Sequence, residues 1–363
     1  MTKLNAITRL AVAVAVGITT GASVAGELDV GELQKQAQTI FQALPDRAEV
    51  DEANPLRDGE IALGQMLYFD PRLSLSGNIS CNTCHNLASY GVDNSAKSLG
   101  VDAQPGGRNS PTVLNAALNA TQFWDGRAQD VEEQAGGPML NPVEMALPDE
   151  ATAVQRIAEI PGYQDLFTEV YGDEGVTFKN MTHAIGAFER TLMTPSRFDA
   201  FIAGDAEALS EQELLGMQSF IDNGCVACHR GVNLGGDQFQ KFGLVKGPYW
   251  QFTGSEQQDS GRFEVTQAES DKFIFRVPTL RNVAHTYPYF HDGSVSSLDN
   301  AVQIMAMAQL GKELPEADIA NMVAFLETLS GEVSEEARTL PILPKSVFPD
   351  EIIEGLSKAE AIQ

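Results

Sequence analysis

Positive charge is in short supply in this chain. Lysine and arginine number 24 against 50 aspartates and glutamates, a formal net charge of −26 over 363 residues. So acidic a surface is a poor match for nucleic-acid phosphates, and no nucleic-acid partner is expected. A small basic protein is the better electrostatic partner. Long apolar runs are missing too. The stretch from Leu10 to Ile18 falls short of the ~20 residues a membrane span needs, so no span is expected. Low-complexity tracts are absent, and no internal repeat is evident beyond one short motif. Hydrophobic residues nevertheless make up 43% of the chain, enough for a packed core rather than wholesale disorder.

The start reads as an export signal. Lys3 and Arg9 precede the apolar run, and small residues follow up to Ala22-Ser23-Val24-Ala25. The pattern predicts a signal peptide over 1–25, cleaved after Ala25, and a periplasmic protein. The mature chain would hold 22 basic and 50 acidic residues, a net charge near −28.

Cysteine is scarce as well, with four residues in all. An exported chain could join them in two disulfides, but their spacing argues otherwise. They form two C-x-x-C-H units, Cys81-Asn82-Thr83-Cys84-His85 and Cys225-Val226-Ala227-Cys228-His229. Two thiols can bond the two vinyl groups of one haem, and the adjacent histidine then lies under the iron. A thioredoxin-type pair needs neither the histidine nor a second copy. A Cys₄ zinc site is conceivable but leaves both histidines unexplained. The motif therefore predicts two c-type haems, attached through Cys81, Cys84, Cys225 and Cys228, with His85 and His229 as axial iron ligands.

The spacing of the motifs suggests a mainly α protein of two cytochrome c-like domains, each wrapping one haem. The expected division is 26–195, 196–330 and a tail over 331–363, partly packed back on the body. Ser210-Glu211-Gln212-Glu213 is a capping box that opens a helix into the second motif. Ile319, Met322, Val323 and Leu326 fall at helical spacing behind Pro315. Thr177–Leu192 and Ala151–Ile160 also read as helices. Residues 231–276, rich in Gly, Gln and Asp, read as a long loop with room for a short hairpin. Pro341, Pro344 and Pro349 rule out a continuous helix in the tail.

What fills the sixth iron position separates an electron carrier from a site of oxygen chemistry. Ten methionines and three further histidines compete for it, so composition assigns nothing. Longer stretches are more specific. Around the first motif stand Asp70-Pro71-Arg72-Leu73-Ser74, Ser80 to Leu87, Asn109-Ser110-Pro111-Thr112-Val113-Leu114-Asn115 and Phe123-Trp124-Asp125-Gly126-Arg127. After the second stand Val232-Asn233-Leu234-Gly235-Gly236, Pro278-Thr279-Leu280-Arg281-Asn282 and Pro288-Tyr289-Phe290-His291-Asp292-Gly293. Together they make the sequence resemble the bacterial di-haem cytochrome c peroxidases, from about Asn54 to about Pro344.

The resemblance implies that the first haem takes hydrogen peroxide and the second feeds it electrons from a small basic donor, a cytochrome c or a cupredoxin. Met305 matches the family's methionine ligand. Met307, two residues on, would point the other way on a helix, although both could be gap-filling core methionines. Trp124 matches the family's bridging tryptophan; alone it would read as core packing. Gln134 and Glu144 match the peroxide pocket, where a carboxylate can move a proton between the two oxygens and an amide can orient them. Seen alone, Glu144 would be a solvated surface charge. One calcium ion is implied, held by the Asn109 side chain and the carbonyls of Thr286 and Pro288. His291 matches a histidine beside a haem propionate. His183 and His285 match nothing and read as structural or surface residues. Dimerisation is usual in the family, so a homodimer is expected.

One departure stands out. Many members carry a distal histidine that blocks the oxidised first haem. The matching loop, Ser98 to Arg108, has Val101 at that place and no histidine. Valine offers iron no lone pair, so the first haem is expected to be open without prior reduction. Two rivals remain. Di-haem enzymes that mature methylamine dehydrogenase also lack the blocking histidine, but carry a tyrosine where this chain has Met305. A plain di-haem electron carrier would need two six-coordinate irons.

Overall fold

The computed structural model describes residues 28–49 and 55–346. The expected export signal and the end of the tail lie outside the described residues. Nearly all regular structure among the described residues is helical. The sheet is a two-stranded antiparallel pair, Phe239–Lys241 with Ile274–Arg276. These strands close the base of the segment expected to be a long loop.

Local signals set the helix ends. Glu213 accepts a 2.7 Å hydrogen bond from the Ser210 backbone N–H, and helix Glu211–Asn223 stops at Gly224, whose φ of +90° suits glycine. Thr177 caps helix Phe178–Glu189 through the Asn180 N–H, and Asp149 caps Glu150–Ala158. Pro315 is the N-cap of helix Glu316–Glu327, one place earlier than a first-turn proline.

Two apolar cores result. Leu63, Leu67, Tyr68, Phe167, Ile185 and Phe188 lie in the first, and Phe198, Phe201, Met217, Phe220, Phe325 and Leu326 in the second. The chain ends cross over. Leu33, Ala37 and Phe41, on and just after helix Val30–Ile40, pack in the second core, while Val333 and Ala337 of the tail pack in the first. Arg72 donates to the Pro344 carbonyl and the Ser346 hydroxyl, both at 2.9 Å.

The two cores are built alike, which overturns the expectation of no repeat beyond the haem motifs. Helix Asp58–Phe69 crosses Phe178–Glu189 at Gly64, and Glu211–Asn223 crosses Glu316–Glu327 at Gly216. A Cβ on Gly64 would lie 1.8 Å from the Ala184 carbonyl oxygen; on Gly216 it would lie 1.8 Å from that of Asn321. The loops also correspond. Asn115 and Asn282 sit at φ 58° and 61°, and their backbone N–H groups donate to Leu192 O and Leu329 O. Both amides donate to the same Thr194 hydroxyl at 2.8 Å. Sequence traces exist in Leu-Gly at 63–64 and 215–216 and in Pro-Thr-x-x-Asn at 111–115 and 278–282. They are too short and too far apart to register as a repeat.

Candidate active site

Folding brings the first set of candidates to one cavity of about 780 Å³. Cys81, Cys84, His85, Asn109, Trp124, Gln134 and Glu144 all line it. The volume suits a cofactor-sized group. His85 follows the short helix Cys81–Cys84, and the Tyr68 hydroxyl holds its carbonyl at 2.5 Å. Burial lowers the His85 pKa, which keeps the ring neutral and able to ligate a metal. Burial also raises all four cysteine pKa values, to about 11 for Cys84 and Cys225. All four are free thiols in the structure, so no disulfide competes for them.

Gln134 lies on helix Val131–Leu140, and Glu144 on the turn that follows. Burial raises the Glu144 pKa, opposed by the Arg127 charge and a hydrogen bond from Asn141. A carboxyl held above its ordinary range in this way is a better proton acceptor than a solvated one. Arg127 lies over the Phe123 ring, 3.4 Å from its centroid, and donates to Asp125. Arg108 binds Asp125 and Asp259 at 2.6 Å, tying the Ser98–Arg108 loop to the second half of the chain.

Val101 is buried, and its N–H donates to Glu144 O at 2.8 Å. The cavity wall includes Gly100 but not Val101. A Cβ on Gly100 would come within 2.2 Å of Val143 O, so the loop lies flat on the Glu144 segment. His285 stacks on Tyr90 at 3.9 Å and His183 is exposed. Neither lines the cavity.

The second set surrounds the second core. His229 Nδ1 lies 3.1 Å from Leu234 O. A carbonyl only accepts, so Nδ1 carries the proton and Nε2 keeps the lone pair a metal needs. Burial lowers the His229 pKa to about 4. Met305 packs on the same core as Cys225, at the end of helix Leu298–Met305. The Met307 sulfur instead meets Lys246 Nζ at 3.1 Å.

Trp124 joins the two regions. It lines the first cavity, packs on the second core, and donates through Nε1 to Asn109 O at 2.8 Å. The Asn109 N–H donates to His291 O at 2.8 Å. His291 is buried against Phe275, with ring centroids 4.1 Å apart, and its Nε2 has no hydrogen-bond partner among the described residues. Asn109 Nδ2 donates to Ser95 O, and Oδ1 accepts no hydrogen bond among the described residues. Asn94 binds the carbonyls of His285 and Tyr287, each at 2.9 Å, while those of Thr286 and Pro288 accept no hydrogen bond among the described residues. Three oxygen donors without partners fit a hard cation.

Sequence reasoning passed over Arg276. This side chain is 4% exposed, its Nη1 has no partner among the described residues, and burial alone lowers its pKa to about 10. A buried guanidinium without a carboxylate calls for an anion, which a haem propionate would supply. Arg276 stands two residues before Pro278, as Asn109 stands two before Pro111. Gly235, packed on Pro278 O, also lies against the His229 ring. The donor set therefore fits a covalently held haem at each histidine.

Comparison with known proteins agrees. A cytochrome c551 peroxidase of Pseudomonas aeruginosa is 47% identical over 317 residues, which cover 86% of this chain and 90% of that one. This chain belongs to the di-haem cytochrome c peroxidase family. The profile described as di-haem cytochrome c peroxidase matches residues 58–207, and that of cytochrome c matches 214–330. The methylamine utilization protein MauG of Methylorubrum extorquens is 32% identical, covering 90% of this chain and 92% of that one. The crystal structure of a MauG-like protein associated with microbial copper homeostasis superposes with a TM-score of 0.72 at 26% identity, covering 82% and 97% of the two chains. The mainly helical, two-haem architecture read from the motifs is that of this family.

Proposed function

We propose that this chain reduces hydrogen peroxide to two waters, with electrons taken one at a time from a small redox protein. One observation carries the reading: Cys81, Cys84, His85, Trp124, Gln134 and Glu144 converge on a single cavity. When bound, the haems supply the iron that takes peroxide at the first site and the electron entry at the second. Glu144 takes a proton from the nearer peroxide oxygen and returns it to the farther one, which leaves as water. Gln134 orients the peroxide with its amide. His85 and His229 ligate, and Met305 completes the second site, where a thioether raises the potential. Trp124 lies across the gap between the two sites.

Val101 leaves the first site open before any reduction. The loop supports this, because its backbone is bonded to Glu144 and the Val101 side chain is buried outside the cavity wall. Calcium at Asn109, Thr286 and Pro288 would tie the Asn109 segment to the Thr286–Pro288 segment. His291 would stand beside a propionate. The donor is a basic cytochrome c or cupredoxin, favoured by the net charge of −26. Export to the periplasm rests on the Lys3–Ala25 pattern, and a homodimer on the habit of the family. Among the described residues no helix is long and apolar enough to cross a membrane. Oxidation of a protein substrate, as in methylamine dehydrogenase maturation, is less well supported, since Met305 stands in place of the tyrosine.

Steady-state turnover of hydrogen peroxide with a reduced cytochrome c tests the reading. Glu144→Gln should lower kcat by about 10²–10⁴-fold while both haems stay bound. Unchanged turnover in that variant would overturn the assignment.

A further inference from the structure

One buried carboxyl in the cavity wall has no part in the steps above. Glu189, at the end of helix Phe178–Glu189, is 4% exposed and lines the same cavity as Gln134 and Glu144. Its carboxyl makes no hydrogen bond among the described residues. The adjacent cation is committed elsewhere, since Arg190 grips Glu132 through two bonds of 2.7 and 2.8 Å. Packing does not require an acid here. The Gly64 and Gly216 crossings make Phe188 the counterpart of Phe325, and the next residues are Glu189 and Leu326. Leu326 is equally buried, at 3%. One half of a duplicated scaffold thus holds a carboxyl where the other holds a leucine, and it is the half with the open cavity.

The groups facing Glu189 are the Tyr68 hydroxyl, the Cys81 thiol, Glu132 across the interface with helix Val131–Leu140, and Arg190. Burial and then the Glu132 charge raise its pKa to about 8, against the pull of Arg190. It therefore holds a proton at neutral pH. Peroxide reduction consumes two protons and two electrons for two waters. Glu144 returns the proton it takes and so supplies none. Asp125 and Asp259 are bound to arginines.

We infer that Glu189 is the proton-delivery residue of the peroxide cavity. Its carboxyl O–H bond breaks, by way of cavity water, as an O–H bond forms on the peroxide oxygen that stays behind when the first water departs; two such deliveries, with the donor's two electrons, turn that oxygen into the second water. Solvent restores the proton past the Glu132–Arg190 pair, and the electrons come from the donor protein. The inference rests on the peroxidase reading given above.

The test uses the haem-loaded protein with Glu189→Gln, Glu189→Leu and Glu189→Asp. Leucine is the residue the second half carries at this place, where it is equally buried. The Gln and Leu variants should keep both haems and their absorption spectra, while kcat at pH 7 falls about tenfold or more. Asp should recover part of the rate. Wild-type kcat should fall as pH rises through about 8, where Glu189 loses its proton, and that limb should vanish in the Gln variant. A Gln variant with wild-type kcat and pH profile would overturn the inference. So would rate losses that merely follow haem loss in all three variants. A wild-type protein that turns over no peroxide would instead sink the peroxidase reading itself.

Discussion

The two halves of this molecule share a scaffold and differ in what they set against the histidine. Each has a helix pair crossing at a glycine, a C-x-x-C-H segment and a Pro-Thr-x-x-Asn loop closed on Thr194. The first half has Tyr68, Asn109 and Glu189 where the second has Phe220, Arg276 and Leu326. It leaves a 780 Å³ cavity lined by Gln134 and Glu144. The second half offers Met305 packed on its core. A scaffold that binds one haem can therefore host either electron transfer or chemistry. The choice lies in a few side chains around the iron rather than in the fold.

The largest effect should come from breaking the shared part. Gly64→Ala and Gly216→Ala each force a Cβ to 1.8 Å from a backbone oxygen, where no rotamer gives relief. Each should cost about 3 kcal/mol or more in unfolding free energy. Thermal denaturation of the haem-loaded protein checks this, and equal losses would confirm that the crossings are equivalent. A smaller effect should distinguish the halves. Arg276→Gln removes the buried cation beside the second site, which favours the reduced iron. The midpoint potential of the second haem should fall by about 59 mV, a tenfold shift in its one-electron equilibrium, while the first changes less. A larger shift at the first haem would place Arg276 with the wrong site.

Much of this was legible in the sequence, for physical reasons. The haem motifs and the Ser210 capping box act over three to five residues, so spacing alone reveals them. That Gln134 and Glu144 share a cavity with His85 was legible only through resemblance, because about fifty to sixty residues of chain separate them from it. The crossing ends were not legible: nothing local in Leu33 or Phe41 says which core they join. Arg276 and Glu189 were missed because one arginine or glutamate reads as surface until burial is known. The duplication was missed because it survives in glycine crossings and loop hydrogen bonds more than in residue identity. Comparing the residues around the two glycines would have singled out Glu189 against Leu326.

On the proposed reading the two sites are unequal from the start, one open and one closed. Electron paramagnetic resonance of the fully oxidised protein, before any reductant is added, tests it most directly. The expected spectrum contains a high-spin ferric signal from the first haem beside a low-spin signal from the His229/Met305 haem. A spectrum in which both haems are low-spin, with the first held by two histidines, would contradict the account.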